Sequence, residues 1–359
     1  MAELPAAAHA APDAPVTPMG ILANPLSGRD VRRLAARAGG TGPQEKRNQV
    51  ARVAVGAAAG GARRVLVLRE PFRVSEGALE HLSIDLEVEA IDIGAQLTAA
   101  DSERAVAAMR EAGCRVIVVL GGDGTHRCVA ATWSDAPIVA LSTGTNNVFP
   151  QLIEPTLAGA AAGLVASGRI ELGEVAERAK VVRVEIDGED GDLALVDAAL
   201  LVDDFVGNRL PFDPAGVRSA VLARAEPAAV GVSSLGGLLE PCFQGDDAGV
   251  EVRLSLDPSR GQPLLAPISP GLYRTFHVEG CRRLALGESV TVEGPGVLAF
   301  DGDRERKLAS RQRARLRVER TGPRVIDVGR TLERAARDGL FLDRGRWRDA
   351  FDQFVRERF

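Results

Sequence analysis

The sequence predicts an α/β protein: an N-terminal open, mostly parallel sheet with flanking helices, followed by an all-β, sandwich-like domain and a C-terminal helical tail. Three observations predict it. Short apolar runs alternate with helical stretches over roughly 150 residues, the pattern of a parallel sheet. Three of those runs end in polar loops of Gly, Ser, Thr and Asn, at the sheet edge where such folds gather ligands. From Lys180 onward, extended runs are separated by Gly, Pro and Asp turns, the spacing of an antiparallel sandwich. A chain of 359 residues is long for one core. It divides into a segment 1–17, an α/β domain over 18–179, a β domain over 180–320 and a tail over 321–359.

Met1 to Thr17 is Ala/Pro-rich and lacks the basic start and apolar stretch of a signal peptide, so it is expected to be disordered. Gly20 to Asn24 reads as a buried strand stopped by Pro25, and Leu26 to Asp30 as a loop with turn chemistry. A helix from about Pro43 to Ala59 leads into a strand at Arg64 to Leu68, a helix at Glu76 to Leu82 and a strand at Leu86 to Ile91. Thr98 and Asp101 have capping-box spacing for a helix ending near Gly113. The run Val116 to Leu120 then empties into Gly121-Gly122-Asp123-Gly124-Thr125 and a helix reaching about Trp133.

Three glycines within four residues leave the backbone free to adopt φ > 0 and to aim its N–H groups at one point, which suits a phosphate; Asp-Gly is also simply a good turn. Asp123 sits inside this loop, and a carboxylate beside phosphate calls for Mg²⁺ or for a hydroxyl awaiting deprotonation. A strand at Ile138 to Leu141 ends in a third polar loop, Ser142 to Asn147, and Pro155 to Ser167 reads as an Ala-rich helix.

The β half shows extended runs at Val181 to Ile186, Leu193 to Val202, Val250 to Leu256, Thr275 to Val278, Leu284 to Leu286, Val290 to Val292, Gly296 to Phe300 and Ala314 to Val318. Val325 to Phe359 returns to helix, with Trp347, Phe351 and Phe354 at the spacing of packing residues.

Composition narrows the function classes. With 45% hydrophobic but only 4% aromatic residues, Ala, Val and Leu must fill the core. A net charge of −5 argues against nucleic acid, because counterion release needs a basic face. No apolar run approaches the roughly 20 residues that cross a bilayer. Cys114, Cys128, Cys242 and Cys281 are scattered and read as reduced thiols. The expectation is a cytoplasmic protein with no membrane partner.

Three stretches combine: Asn24-Pro25-Leu26-Ser27-Gly28, Gly121-Gly122-Asp123-Gly124-Thr125, and Ser142 to Pro150. Together they resemble the NAD kinase and diacylglycerol kinase superfamily. Within it, the chain from about Gly20 is most similar to the ATP-NAD kinase-like acetoin-catabolism protein X group. The resemblance implies that 18–179 is a nucleotide-binding domain and that the active site lies in the cleft between it and the β domain. It implies that Gly121, Gly122, Gly124 and Thr125 line the donor phosphates, that Asp123 contacts Mg²⁺ or the acceptor hydroxyl, and that Asn24, Ser27, Thr143, Gly144, Thr145 and Asn146 approach the donor. Phe300-Asp301-Gly302-Asp303 resembles an Asp-Gly signature of these kinases, making Asp301 or Asp303 an active-site carboxylate; read locally, it is a hairpin turn. Leu265 to Gly271 resembles a proline-rich NAD kinase segment, or shapes a loop.

The implied activity is phosphoryl transfer from ATP to an alcohol on a small molecule, with NAD the first candidate acceptor and a link to acetoin catabolism. Departures from NAD kinase bear on the acceptor. Its acceptor-reading pair is represented by Val196-Asp197, and Val232 to Gly237 stands where an aromatic segment holds the dinucleotide. Those losses motivate an alternative, a catalytically inactive nucleotide- or NAD-binding regulatory protein. A lipid kinase lacks an evident membrane-binding helix here. Relatives are often homo-oligomers, which makes self-association an expectation. Among other polar residues, His126 is either packed against the glycine loop or touches substrate, Arg127 either neutralises phosphate or lies on the surface, and Asp203-Asp204 is either a metal pair or a solvated loop. His9, His81 and His277 have no partner spacing.

Overall fold

The computed structural model describes residues 17–27, 42–144, 147–208 and 212–342. Of the positions singled out above, residues 1–16, Gly28 to Asp30, Thr145, Asn146 and the tail from residue 343, with its three aromatics, lie outside the described residues.

Five strands, β1 (Met19–Ala23), β2 (Arg64–Leu68), β3 (Glu87–Ile91), β4 (Ile117–Gly121) and β5 (Pro137–Ser142), run parallel in the order β3-β2-β1-β4-β5. Buried on both faces, β1 and β4 have no polar side chain, as a central parallel strand requires. The helices between them are α1 (Pro43–Gly60), α2 (Val74–Leu79), α3 (Ala99–Glu111) and α4 (Asp123–Thr132), and α5 (Pro155–Ala166) follows β5. The Thr98–Asp101 capping box that opens α3 is present.

Helices α1 and α5 touch backbone to backbone. A Cβ on Gly56 would lie 2.0 Å from the Thr156 carbonyl oxygen, and one on Gly159 would lie 2.1 Å from that of Val53. Only glycine permits that approach. The pair therefore forms a thin layer over β1 and β4, which a core of small side chains such as Ala54, Ala57, Ala158 and Ala161 can fill.

A short helix, α6 (Leu172–Val175), and strand β6 (Ala176–Arg178) lead into the β half. There β7 (Val181–Ile186), β8 (Asp192–Ala194), β9 (Asp197–Leu201), β10 (Val217–Leu222), α7 (Val232–Gly237), β11 (Ala248–Leu254), β12 (Gln262–Ser269), β13 (Leu272–Ala285), β14 (Ser289–Glu293), β15 (Gly296–Phe300), β16 (Asp303–Leu308) and β17 (Arg313–Glu319) build two antiparallel sheets. Their orders are β12-β13-β11-β10-β9-β15-β16 and β14-β17-β7-β8. Period-two burial faces them together: Val290, Val292, Ala314 and Leu316 point inward to meet Leu200, Val221, Leu298 and Phe300.

Three readings change. The apolar run Leu193 to Val202 is two strands in different sheets, β8 and β9, broken at Leu195 and Val196, which turn into the core shared with the first half. Thr275 to Val278 and Leu284–Ala285 belong to one strand, β13, whose interval of Glu, Gly, Cys and Arg is tolerated because the strand is largely open. The expected helical tail begins later than Val325. Arg324–Ile326 is strand β18, parallel to β5 and antiparallel to β6, so the chain returns to close the first sheet before α8 (Val328–Arg337) packs on α5. Three residues carry too little pattern to separate a strand from a helix start.

The halves share a core: Leu193, Leu195 and Val196 join Leu22, Ile117, Val119, Ile138 and Phe149 on one face of the parallel sheet. That contact brings the carboxyl ends of β1 and β4 against the β15–β16 hairpin. Among the described residues no helix is long and apolar enough to cross a membrane, and the four cysteines are free thiols.

Candidate active site

A cavity of about 690 Å³ opens between the halves, at the carboxyl ends of β1, β4 and β5. From the first half it is lined by Asn24, Ser27, Gly122, Asp123, Gly124, Thr125 and Thr143, and from the second by Asp197, Asp301 and Asp303. Predicted residues from three loops and a distant hairpin thus meet in one place. Thr145 and Asn146 lie outside the described residues. Gly121 and Gly144 are neighbours of the lining.

The glycine stretch is built differently from the expectation. None of Gly121, Gly122 and Gly124 has positive φ. Helix α4 starts at once at Asp123, with Gly122 as an extended N-cap at φ −96° and no side-chain cap. What excludes a side chain is crowding: a Cβ on Gly121 would sit 2.6 Å from that of Thr125, one on Gly122 2.9 Å from Asn147 Oδ1, and one on Gly124 3.3 Å from Asp303 Oδ2. The first turn of a helix leaves its N–H groups without intrahelical partners, and here that turn faces the cavity.

Asp123 is anchored by the loop after β5, its carboxylate accepting N–H bonds from Val148 (3.1 Å) and Phe149 (2.8 Å). Asn24 and Ser27 act as a frame. Asn24 Nδ2 donates to Thr125 Oγ1 at 2.9 Å, Ser27 Oγ donates to the Asn24 carbonyl at 2.9 Å, and Thr143 Oγ1 donates to Ser27 Oγ at 2.9 Å. This links the three phosphate-loop candidates side chain to side chain. Below them the buried Lys46 Nζ donates to the carbonyls of Asn24 (3.0 Å) and Pro25 (2.7 Å). Lys46 escaped the sequence reading because a helical lysine carries no signal of a carbonyl pair met only after folding.

Phe300 to Asp303 is the hairpin turn of the local reading, and it borders the cavity. Asp301 at φ 51° and Gly302 at φ 89° form a two-residue turn joining β15 to β16, and the same turn lines the cavity. Asp301 is buried, and its carboxylate accepts from the N–H groups of Leu195 (2.9 Å), Val196 (2.7 Å) and Asp197 (3.3 Å). Burial, and then the nearby Asp123 charge, push its carboxyl up to about 7, against the opposing pull of those amides and Arg127.

The remaining candidates resolve individually. His126 is fully buried, its Nδ1 2.9 Å from the Gly122 carbonyl and its ring 5.5 Å from that of Phe149; burial lowers it to about 4 and keeps it a neutral packing residue. Arg127 is not on the surface: it lines the cavity and pairs with Asp192 (3.3 Å) and Glu305 (2.5 Å). Asp204 accepts from the buried Arg304 at 3.0 Å. Val196 packs in the core, and the hydroxyls of Ser233 and Ser234 donate to the backbone carbonyls of Arg224 and Gly231. Pro267 and Ile268 belong to edge strand β12, and Ile268 reaches the cavity with Phe212, Val230 and Val232. Val232 and Ile268 fall in stretches the sequence singled out, whereas Phe212 and Val230 went unread because nothing in their sequence separates a cavity wall from a core.

The family comparisons agree over most of the length. Residues 34–170 match the ATP-NAD kinase N-terminal domain, and residues 180–321 match the acetoin catabolism protein X C-terminal domain. The chain is 37% identical over 350 residues to acetoin catabolism protein X of Cupriavidus necator, covering 93% of this chain and 96% of that one. The chain belongs to the acetoin catabolism protein X family. This chain thus joins a first half of the ATP-NAD kinase N-terminal type to a second half of the acetoin catabolism protein X C-terminal type. Two solved structures overlap in outline: yeast NADH kinase complexed with NADH (12% identity, TM-score 0.45, covering 96% of this chain and 88% of that one) and a putative diacylglycerol kinase from Bacillus anthracis (13%, 0.47, 87% and 97%).

Proposed function

We propose that this family member is a phosphotransferase that moves a phosphoryl group from ATP to an alcohol on a small molecule, in a reaction linked to acetoin use. The observation that carries this reading is the pair of carboxylates, Asp123 on the first turn of α4 and Asp301 on the hairpin of the other half, lining one cavity. Asp301, pushed up to about 7, can hold or release a proton near neutral pH. The amides of the α4 first turn would orient donor phosphates, framed by Asn24, Ser27, Thr125 and Thr143. Asp123, fixed by the Val148 and Phe149 amides, would orient the acceptor hydroxyl, with Asp301 or Asp303 taking its proton. Most of the rate enhancement would come from positioning and electrostatics.

A divalent cation fits this lining. Seven carboxylates, Glu70, Asp101, Asp123, Asp197, Asp301, Asp303 and Glu305, face one guanidinium, Arg127, among the described lining residues, so a polyphosphate entering alone would be repelled. Among the described residues no group of three or more His, Cys, Asp or Glu forms a cage for a metal, and Mg²⁺ is commonly held by one or two carboxylates together with substrate phosphates. Asp123, on the first turn of α4 at the cavity wall, is the residue that would hold it. The ion would supply charge neutralisation on the transferred group.

NAD is the first acceptor to test, but the Ser233 and Ser234 hydroxyls donate to the carbonyls of Arg224 and Gly231, and the nearby wall is Phe212, Val230, Val232 and Ile268. That wall favours a smaller, less polar alcohol over a dinucleotide. It also motivates the second reading, a nucleotide-binding regulator without turnover. Incubation with Mg²⁺, ATP, NAD and a panel of small alcohols separates them: acceptor-dependent ADP release supports the enzyme, and tight ATP binding with no ADP from any acceptor supports the regulator.

A further inference from the structure

The two carboxylates stand on different halves of the chain, and a single side chain ties those halves together beside them. Arg127 lies one turn beyond Asp123 on α4 and is 14% exposed. Its Nη2 donates to Glu305 Oε1 at 2.5 Å on β16, its Nη1 donates to Asp192 Oδ1 at 3.3 Å on β8, and its guanidinium carbon lies 5.7 Å from the centroid of the Phe300 ring on β15. Phe300 and Glu305 flank the Asp301–Asp303 turn, one on each strand. Arg306 extends the cluster, its Nε donating to the other Asp192 oxygen at 3.3 Å. At the tip, Asp303 Oδ2 rests against the space over Gly124. The hairpin therefore lies against α4 at its tip, through Asp303, and is tied to it just behind the turn by Arg127.

We infer that Arg127 is a positioning residue that sets the spacing of Asp123 against Asp301 and Asp303 by clamping the β15–β16 hairpin to the helix carrying Asp123. Its geometry argues against direct substrate binding. Both Nη groups are taken by carboxylates, leaving only Nε without a hydrogen bond, and the guanidinium carbon lies over an aromatic ring, an arrangement in which arginine is pre-organised and lysine is a poor substitute. The inference rests on the phosphotransferase reading for its kinetic consequence, but the clamp itself does not depend on turnover.

The test uses the full chain in four forms: wild type, Arg127→Met, Arg127→Lys, and the double variant Asp192→Asn/Glu305→Gln, which leaves Arg127 in place without its anchors. Hydrogen exchange of amides 300–305, measured with and without Mg²⁺ and ATP, reads the clamp. Steady-state kinetics with whichever alcohol turns over reads the consequence. The clamp predicts faster exchange of the hairpin in Arg127→Met and in the double variant, with Arg127→Lys between them and wild type. It also predicts kcat lower by on the order of tenfold to a hundredfold, the range expected for misplaced reacting groups, and a KM for ATP within about twofold. A double variant that keeps wild-type exchange and kcat while Arg127→Met loses kcat and weakens ATP binding would overturn the inference in favour of direct phosphate contact. Unchanged exchange in folded Arg127→Met would overturn it outright. Should Arg127→Met not fold, Glu305→Gln alone, at a half-exposed carboxylate, loosens one anchor and must still speed hairpin exchange. If no alcohol is phosphorylated, the phosphotransferase reading fails while the exchange comparison still decides the clamp.

Discussion

Replacing Asp301 by Asn should change how stability depends on pH more than it changes stability itself. The left-handed backbone at this position, φ 51°, suits Asn as well as Asp. The amide oxygen can keep the bonds from Val196 (2.7 Å) and Asp197 (3.3 Å), while its NH₂ group would face the Leu195 N–H that the carboxylate now accepts at 2.9 Å. That lost bond costs about 1–3 kcal/mol at every pH. The carboxyl, by contrast, carries a pH-dependent cost. Its folded value of about 7 stands above the ordinary 3.8, chiefly through burial and secondarily through Asp123. The folded state binds the proton more tightly than the unfolded chain, so the associated stability is fully present below the unfolded value and is lost as pH rises through about 7. At about 1.4 kcal/mol per unit, wild type should lose on the order of 2–3 kcal/mol relative to Asp301→Asn between pH 5 and pH 8. Urea unfolding of both proteins at several pH values, without divalent cations, measures it. A difference that stays flat across that range would refute the buried, shifted carboxyl.

His126 should show the opposite slope: its folded value of about 4 lies below the ordinary 6.5, so its contribution is present above 6.5 and lost as pH falls through 4. Relative to His126→Leu, wild type should lose on the order of 2–3 kcal/mol between pH 6.5 and pH 4, read by the same titrated unfolding. Gly159→Ala places a methyl 2.1 Å from the Val53 carbonyl oxygen and must push α1 from α5; we expect a loss of about 1–3 kcal/mol or more in thermal or urea unfolding, where an unstrained helical site would gain from the same change. Lys180→Met removes the donor that satisfies the Phe243 and Ala248 carbonyls at 2.8 and 2.7 Å. A destabilisation of about 1–3 kcal/mol is expected, and unchanged unfolding would show those carbonyls to be satisfied otherwise.

Much of the fold was legible because its signals are local. Arg64 to Leu68 and Val181 to Ile186 are strands with the bounds the apolar runs gave, and Thr98 with Asp101 marked the start of α3 correctly. What escaped depends on distant partners. Arg324–Ile326 is a strand only because β5 and β6 lie beside it. The break between β8 and β9 exists because Leu195 and Val196 are drawn into the other half's core. At the site, residue types and spacing pointed to the glycines and to Asp123, yet gave the wrong reason for the glycines, since steric crowding by Thr125, Asn147 and Asp303 replaces the left-handed backbone. Lys46 and the wall residues Phe212 and Val230 had no local signature at all.

The central claim is that Asp123 works on an acceptor hydroxyl in a phosphoryl transfer. Asn in its place retains an oxygen for the Phe149 and Val148 amides, which approach Oδ1 at 2.8 and 3.2 Å, so the fold is spared while the negative charge goes. The decisive measurement is ADP release from Mg²⁺ and ATP in the presence of NAD and a panel of small alcohols, for wild type and Asp123→Asn side by side. Acceptor-dependent release in wild type, at least about a hundredfold slower in the variant at nearly the same melting temperature, is the predicted result. Equal rates in the two proteins, or no release with any acceptor, would contradict it.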